Sequence, residues 1–241
     1  GTWYILIYSE SVPSPSTFTL QANTGRVSLT NVTPDHAGNS APATLTITGA
    51  GFSSGTTVTL VSANNTSYPA ASVDVDSFTQ ITTTFPLPNI PADLYTIRVS
   101  RPDGSSTQLP NSFTVVAGGS PNLVTNLIVP DSLGRHVTAT LYVEYANTGT
   151  VAMPAPLLIL QSSDPDDSDR PLLTLDQSRL TVGFWTSAIP DGFSHTIQIL
   201  ASGATPGVLQ PGESFRVPVY YAGMQQPWDF SDTAVELELR T

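Results

Sequence analysis

Apolar and polar residues alternate with a period of two along this chain, and no stretch sustains the 3.6-residue period of a helix. Leu45 and Ile47 alternate with Thr44, Thr46 and Thr48. Tyr95, Ile97 and Val99 alternate with Thr96, Arg98 and Ser100. Ala139, Leu141, Val143 and Tyr145 alternate with Thr140, Tyr142 and Glu144, and Val235, Leu237 and Leu239 with Glu236, Glu238 and Arg240. Strands with one apolar and one polar face are what antiparallel sandwich sheets require. Turn residues punctuate them at short intervals: Asn64-Asn65, Pro102-Asp103-Gly104, Asn147-Thr148-Gly149, Pro190-Asp191-Gly192 and Pro211-Gly212. Such spacing predicts an all-β chain of β-sandwiches. Ala43–Phe52 condenses the pattern: a Thr/Ile/Leu strand runs into Gly49-Ala50-Gly51 and then an aromatic residue.

Two seams divide the chain. Ala117-Gly118-Gly119-Ser120-Pro121 reads as a short flexible joint and as a domain boundary. A second seam lies at Ala22-Asn23-Thr24-Gly25, after two strand-like runs, Trp3–Tyr8 and Thr17–Gln21. Two strands cannot bury a core alone. Residues 1–25 are therefore expected to be the last strands of a preceding domain, or strands exchanged with a neighbour. No leader-peptide pattern precedes Gly1-Thr2-Trp3-Tyr4, so the chain reads as a segment of something longer. A length of 241 residues fits one to two domains.

Charge narrows the range of partners. Eight cationic residues against nineteen acidic ones leave a net charge of −11, which repels phosphate backbones and anionic membranes alike. Every cation is an arginine. Without lysine there is no Schiff-base chemistry, no Lys–Asn isopeptide clasp and no Walker-type phosphate loop. Without cysteine there is no disulfide, thiol nucleophile or thiolate metal site. A Thr–Gln ester is the covalent cross-link left open, and nothing in the sequence selects a pair. No apolar run reaches the roughly 18 residues a membrane helix needs.

Specific motifs resemble known modules. Residues 26–117 resemble a TIG/IPT immunoglobulin-like domain, through Val32-Thr33-Pro34, the Ala43–Phe52 run, Leu94–Val99 with Pro102-Asp103-Gly104, and Phe113–Val116. Residues 118–241 resemble a CARDB-type adhesion-related sandwich of bacterial exported proteins. That match rests on Pro121–Val124, on Thr138–Ala146 running into Asn147-Thr148-Gly149, and on Leu209–Ser214 before the Phe215–Tyr221 strand. Gly1–Tyr4 and Thr17–Leu20 resemble the end of a bacterial pre-peptidase C-terminal domain. The resemblance implies tandem immunoglobulin-like sandwiches. It also implies a non-catalytic structural or adhesive role at the surface of, or outside, a bacterial cell, with neighbouring domains or copies of the same protein as partners.

Candidate sites are few. Asp164, Asp166, Asp167 and Asp169 fall within six residues and are candidate Ca²⁺ ligands, a hard cation that takes six to eight oxygens. Their register is not that of an EF-hand, and a solvated acidic loop is the alternative. Asp74 and Asp76, on one strand face, read as solvated rungs. Asp164-Pro165 is an acid-labile linkage, with self-processing as its remote reading. Trp185 and Trp228, near Phe184, Phe230, Gln225, Gln226, Asp229 and Asp191, are candidate sugar-stacking rings; packing into a sandwich core is the alternative. They carry the second functional reading, a carbohydrate-binding accessory region of a secreted hydrolase that takes polysaccharide. His36, His136 and His195 are scattered. Ser194 and His195 are adjacent, so on a strand they face opposite ways and do not form a triad with Asp191. Asn31-Val32-Thr33, Asn64-Asn65-Thr66 and Asn65-Thr66-Ser67 match the N-glycosylation pattern, which arises readily by chance in so Thr- and Asn-rich a chain.

Overall fold

A computed structural model describes residues 26–162, 170–181, 186–231 and 236–241. The alternating segments become strands, and their apolar faces close into two cores. The first nine strands are β1 (Ser28–Thr33), β2 (His36–Gly38), β3 (Ala43–Ala50), β4 (Thr57–Val61), β5 (Ser67–Pro69), β6 (Ser72–Ser77), β7 (Gln80–Phe85), β8 (Asp93–Ser100) and β9 (Ser106–Val116). They form a sheet in the order β1-β3-β7-β6 and a second in the order β2-β9-β8-β4-β5. This is the immunoglobulin arrangement. Pairing is antiparallel except that β2 runs parallel to the end of β9, with Ala37 opposite Val115. Three residues are too few to show any period, so sequence alone does not reveal this parallel strand.

The inward residues of the alternating strands are the ones that disappear from solvent. Leu45, Ile47, Ile97 and Val99 are buried, with Phe52, Phe85 and Phe113 between the sheets. Tyr95, at the start of β8, is buried yet keeps its hydroxyl bonded, donating to the Pro91 carbonyl 2.8 Å away. That is the tyrosine-corner geometry of immunoglobulin sandwiches. Burial pushes the Tyr95 phenol above its ordinary pKa. The Gly-Ala-Gly turn after β3 has a packing reason. A Cβ on Gly49 would lie 2.8 Å from the Phe52 ring and collide with the Ser28 carbonyl, and Gly51 takes φ of 85°. The ring of Phe52 is thereby seated in the core. Ile47→Val, which removes one methylene at a fully buried site, is expected to cost about 1 kcal/mol in chemical denaturation.

The second group comprises β10 (Leu123–Ile128), β11 (Ala139–Asn147), β12 (Met153–Pro154), β13 (Leu157–Ser162), β14 (Pro171–Thr174), β15 (Ile197–Leu200), β16 (Val208–Leu209), β17 (Ser214–Met224) and β18 (Leu237–Arg240). The sheet β10-β11-β17-β14 faces the sheet β15-β13-β18, with the short pair β12-β16 at one end. Leu141, Val143, Leu158, Leu160, Val219 and Tyr221 fill the space between. Among the described residues all pairings in this group are antiparallel. The chain is all-β, built as two sandwiches in tandem. Among the described residues no helix is long and apolar enough to cross a membrane.

Candidate functional site

Asp164, Asp166, Asp167, Asp169 and Trp185 lie outside the described residues, as do the strand-like runs before Gly25. Trp228 is described and is half-buried. Its Nε1 donates to the Met224 carbonyl at 3.2 Å, and its ring stacks on His136 with centroids 5.8 Å apart. Phe230 meets its edge at 5.9 Å, and the Arg135 guanidinium covers Phe230 at 5.4 Å. This leaves Phe230, 75% exposed, as the open ring of the cluster. Asp74 and Asp76 sit on β6, where Asp76 accepts from the Thr82 hydroxyl at 2.8 Å.

The histidines stay apart. His36 pairs with Asp35 at 2.8 Å. The Nδ1 of His195 lies 2.9 Å from the Pro171 carbonyl, and the Ser194 hydroxyl accepts from the Thr196 N–H, so the two do not form a nucleophile and base. Among the described residues, no three of His, Cys, Asp and Glu come together as a metal cluster would require.

The joint between the sandwiches differs from its sequence reading. A glycine pair followed by Ser-Pro suggests freedom, but the segment is fastened. Gly38 N–H donates across to the Thr150 carbonyl of the second sandwich at 2.6 Å, and Ser40 N–H donates to the Gly118 carbonyl at 3.3 Å. The Ser40 hydroxyl donates to the Gly119 carbonyl at 2.8 Å, and the Asn39 side chain accepts from Gly118 N–H at 2.7 Å. Here the glycines serve close approach. A Cβ on Gly38 would lie 2.9 Å from the Thr150 hydroxyl, and one on Gly119 would collide with the same group. The absence of side chains lets two backbones touch, which composition alone cannot distinguish from a loose linker.

Two surface depressions share lining residues. One depression, about 470 Å³, lies between Asn31–Asp35 of the first sandwich and Pro211–Phe215 of the second. The next, about 340 Å³, lies over β10, β11 and β17 and shares Ser214 and Phe215 with the first. The polar groups of this second depression are held by one another. Asn126 Nδ2 donates to Glu144 at 2.9 Å, and Arg216 Nε donates to the same carboxylate at 2.8 Å. The Arg216 guanidinium also covers the Tyr142 ring at 5.2 Å. Phe215 is 37% exposed and leans on Tyr145, with centroids 5.7 Å apart.

The bonds from Asn126 and then Arg216 hold the Glu144 carboxyl below the ordinary glutamate range. A folded-state value below the unfolded one means that the stabilisation is present above the ordinary glutamate pKa. It is lost as pH falls through the folded midpoint. Arg216→Ala is expected to raise the Glu144 midpoint toward its ordinary value in a carboxyl NMR titration, and an unchanged midpoint would assign the whole effect to Asn126.

No protein-family model matches the chain. No curated protein matches it either. Among solved structures it is similar to the immunoglobulin pair of DIP-gamma, at 11% identity and a TM-score of 0.27 over 79% of this chain and 95% of that one. It is also similar to a DUF4785 family protein from Legionella pneumophila, at 10% identity and a TM-score of 0.26, over 79% of this chain and 45% of that one. A protein of unknown function from Porphyromonas gingivalis shares 12% identity at a TM-score of 0.17, over 82% of this chain and 80% of that one. Scores this low bear on neither activity nor partners.

Proposed function

We propose that this chain is a non-catalytic structural and adhesive segment of a large bacterial exported protein, acting as a stalk or as part of a surface filament or matrix. The fastened joint carries this reading. Two sandwiches bonded backbone to backbone through Gly38 and Thr150 make a stiff spacer, whereas a mobile linker would not hold other modules at a fixed separation. The scattered histidines and the self-satisfied Glu144–Arg216 pair fit a surface without a reaction centre. The resemblance of residues 26–117 to a TIG domain and of 118–241 to a CARDB-type domain belongs to the same proposal. So does assembly by strand addition, in which residues 1–25 pair with a neighbouring copy. Ca²⁺ held by Asp164, Asp166, Asp167 and Asp169 would brace such an array.

Electron microscopy of the secreted parent, with and without a calcium chelator, tests the proposal. Rods or filaments of regular width are expected. Compact, monodisperse particles in both conditions would overturn the stalk reading, and filaments indifferent to the chelator would remove Ca²⁺ from it.

A further inference from the structure

We infer that β10 is the docking edge for a second copy of this chain, the two β10 strands pairing antiparallel into one continuous sheet. The inference deepens the adhesive part of the reading above, and rests on it for bringing copies side by side. β10 borders its sheet and pairs only with β11. The Thr148 N–H donates to the Asn122 carbonyl at 2.9 Å, which fixes the alternation of the ladder. Val124, Asn126 and Ile128 therefore bond to β11, and the N–H and C=O groups of Leu123, Thr125 and Leu127 point away from it. No hydrogen bond among the described residues meets those outward groups. A row of unpaired backbone groups on a sheet edge is a template for another strand.

The other described edges are blunted, and β10 is not. β1 and β6 are bulged, and β6 also carries Asp74 and Asp76. β2 and β5 have three residues each, and β5 ends in Pro69. β14 opens with Pro171, and its Leu173 N–H is taken by the Ser194 carbonyl at 2.8 Å. β15 has four residues, and β18 carries Glu238 and Arg240. Short length, charge, proline and bulges are the devices that keep edges apart. β10 runs six residues in even register without any of them.

The strand is also complementary to itself. With the two-fold axis at Thr125, Leu123 lies opposite the partner's Leu127 and Thr125 opposite the partner's Thr125. Each such pair exchanges both of its N–H···O bonds, because these are the residues whose groups point outward. Leu123 and Leu127 belong to the half-buried rim of the core, so the same register covers apolar surface on one face. On the other face Val124, 46% exposed, meets the partner's Asn126. A net charge of −11 drives copies apart, so contact is cheapest where charge is missing. β10 has no charged residue, and the neighbouring Glu144 is already paired with Arg216. No like charges come to lie opposite one another. Such a pair is isologous and closes as a dimer.

Sedimentation equilibrium of the whole chain, from micromolar to millimolar concentration, together with backbone amide exchange tests the proposal. A monomer–dimer equilibrium is expected. Thr125→Pro should weaken it at least about tenfold, the size expected when two backbone bonds are lost at the axis. The N–H it removes takes no part in the β11 ladder, and proline is tolerated at such edge positions, so the fold is kept. Thr125→Val, which retains the N–H, should dimerise as the parent does. The amides of Leu123, Thr125 and Leu127 should exchange fast in dilute solution and slow down as the dimer fills, a readout that needs no variant. Monomers at every concentration, or dimers that Thr125→Pro leaves at full strength, would overturn the inference. So would slow exchange of these amides in the dilute monomer, which would mean that the chain's own residues cover the edge. Monomers here with regular rods in the microscope would leave the stalk reading standing. Dimers through β10 with compact particles would do the reverse.

Discussion

Asn147→Ala is expected to lower the stability of the second sandwich by about 3–4 kcal/mol, a large loss for one polar residue. Asn147 ends β11 and is fully buried. Its Nδ2 donates to the carbonyls of Val151 at 2.9 Å and Leu209 at 3.1 Å. Its Oδ1 accepts from the N–H groups of Asn122 at 3.1 Å and Gly149 at 3.0 Å. One side chain thus satisfies four backbone groups from four segments: the start of β10, the turn after β11, the approach to β12, and β16. Alanine leaves all four without their partner, and a buried polar group without a partner costs on the order of 1–3 kcal/mol, softened where water reaches the sandwich end. Asn147→Asp separates the two halves of the role. It keeps an acceptor but turns a charged oxygen toward two carbonyls, so it should be at least as damaging as alanine at neutral pH. It should recover part of the loss in acid, where the protonated carboxyl regains a donor. Urea unfolding followed by tryptophan fluorescence reads both. A loss under about 1 kcal/mol for alanine would mean that the four groups find other partners.

The same residue shows how much the sequence discloses. Asn147-Thr148-Gly149 is legible as a turn because its residue types are turn formers. That its first side chain organises a sandwich end is not legible, since Leu209 lies 62 positions away. The strands were legible wherever alternation ran for six residues or more. Leu45 and Ile47 face inward, and Thr44, Thr46 and Thr48 outward, as their order predicts. Tyr95 was legible as an inward residue, while its corner bond to Pro91 depends on the path of the chain before β8. The Glu144 cluster was hidden for the same reason as the role of Asn147. Asn126, Glu144 and Arg216 belong to three distant stretches, and only the pairing of β10, β11 and β17 brings them to one face. Trp228 stood out as a large aromatic residue, but nothing local announces that His136 covers it.

Gly38→Val should release the two sandwiches from one another while leaving each folded. A side chain at position 38 would collide with the Gly118 carbonyl and meet the Thr150 hydroxyl, whose Oγ1 lies only 2.9 Å from where Cβ must sit. Both obstacles are near backbone that is itself bonded, so neither can yield cheaply. Relief comes by moving the second sandwich away, which breaks the Gly38–Thr150 bond and strains the Ser40 contacts with Gly118 and Gly119. The cores share no buried residue, so their packing survives the separation. In solution the parent chain should tumble as one body, with a single rotational correlation time for both halves by ¹⁵N relaxation. The variant should show two shorter times and a broadened small-angle scattering distance distribution. Ser40→Ala, which removes only the hydroxyl bond to Gly119, should widen the motion far less. Equal correlation times in parent and variant would show that the joint is held by something other than this backbone contact.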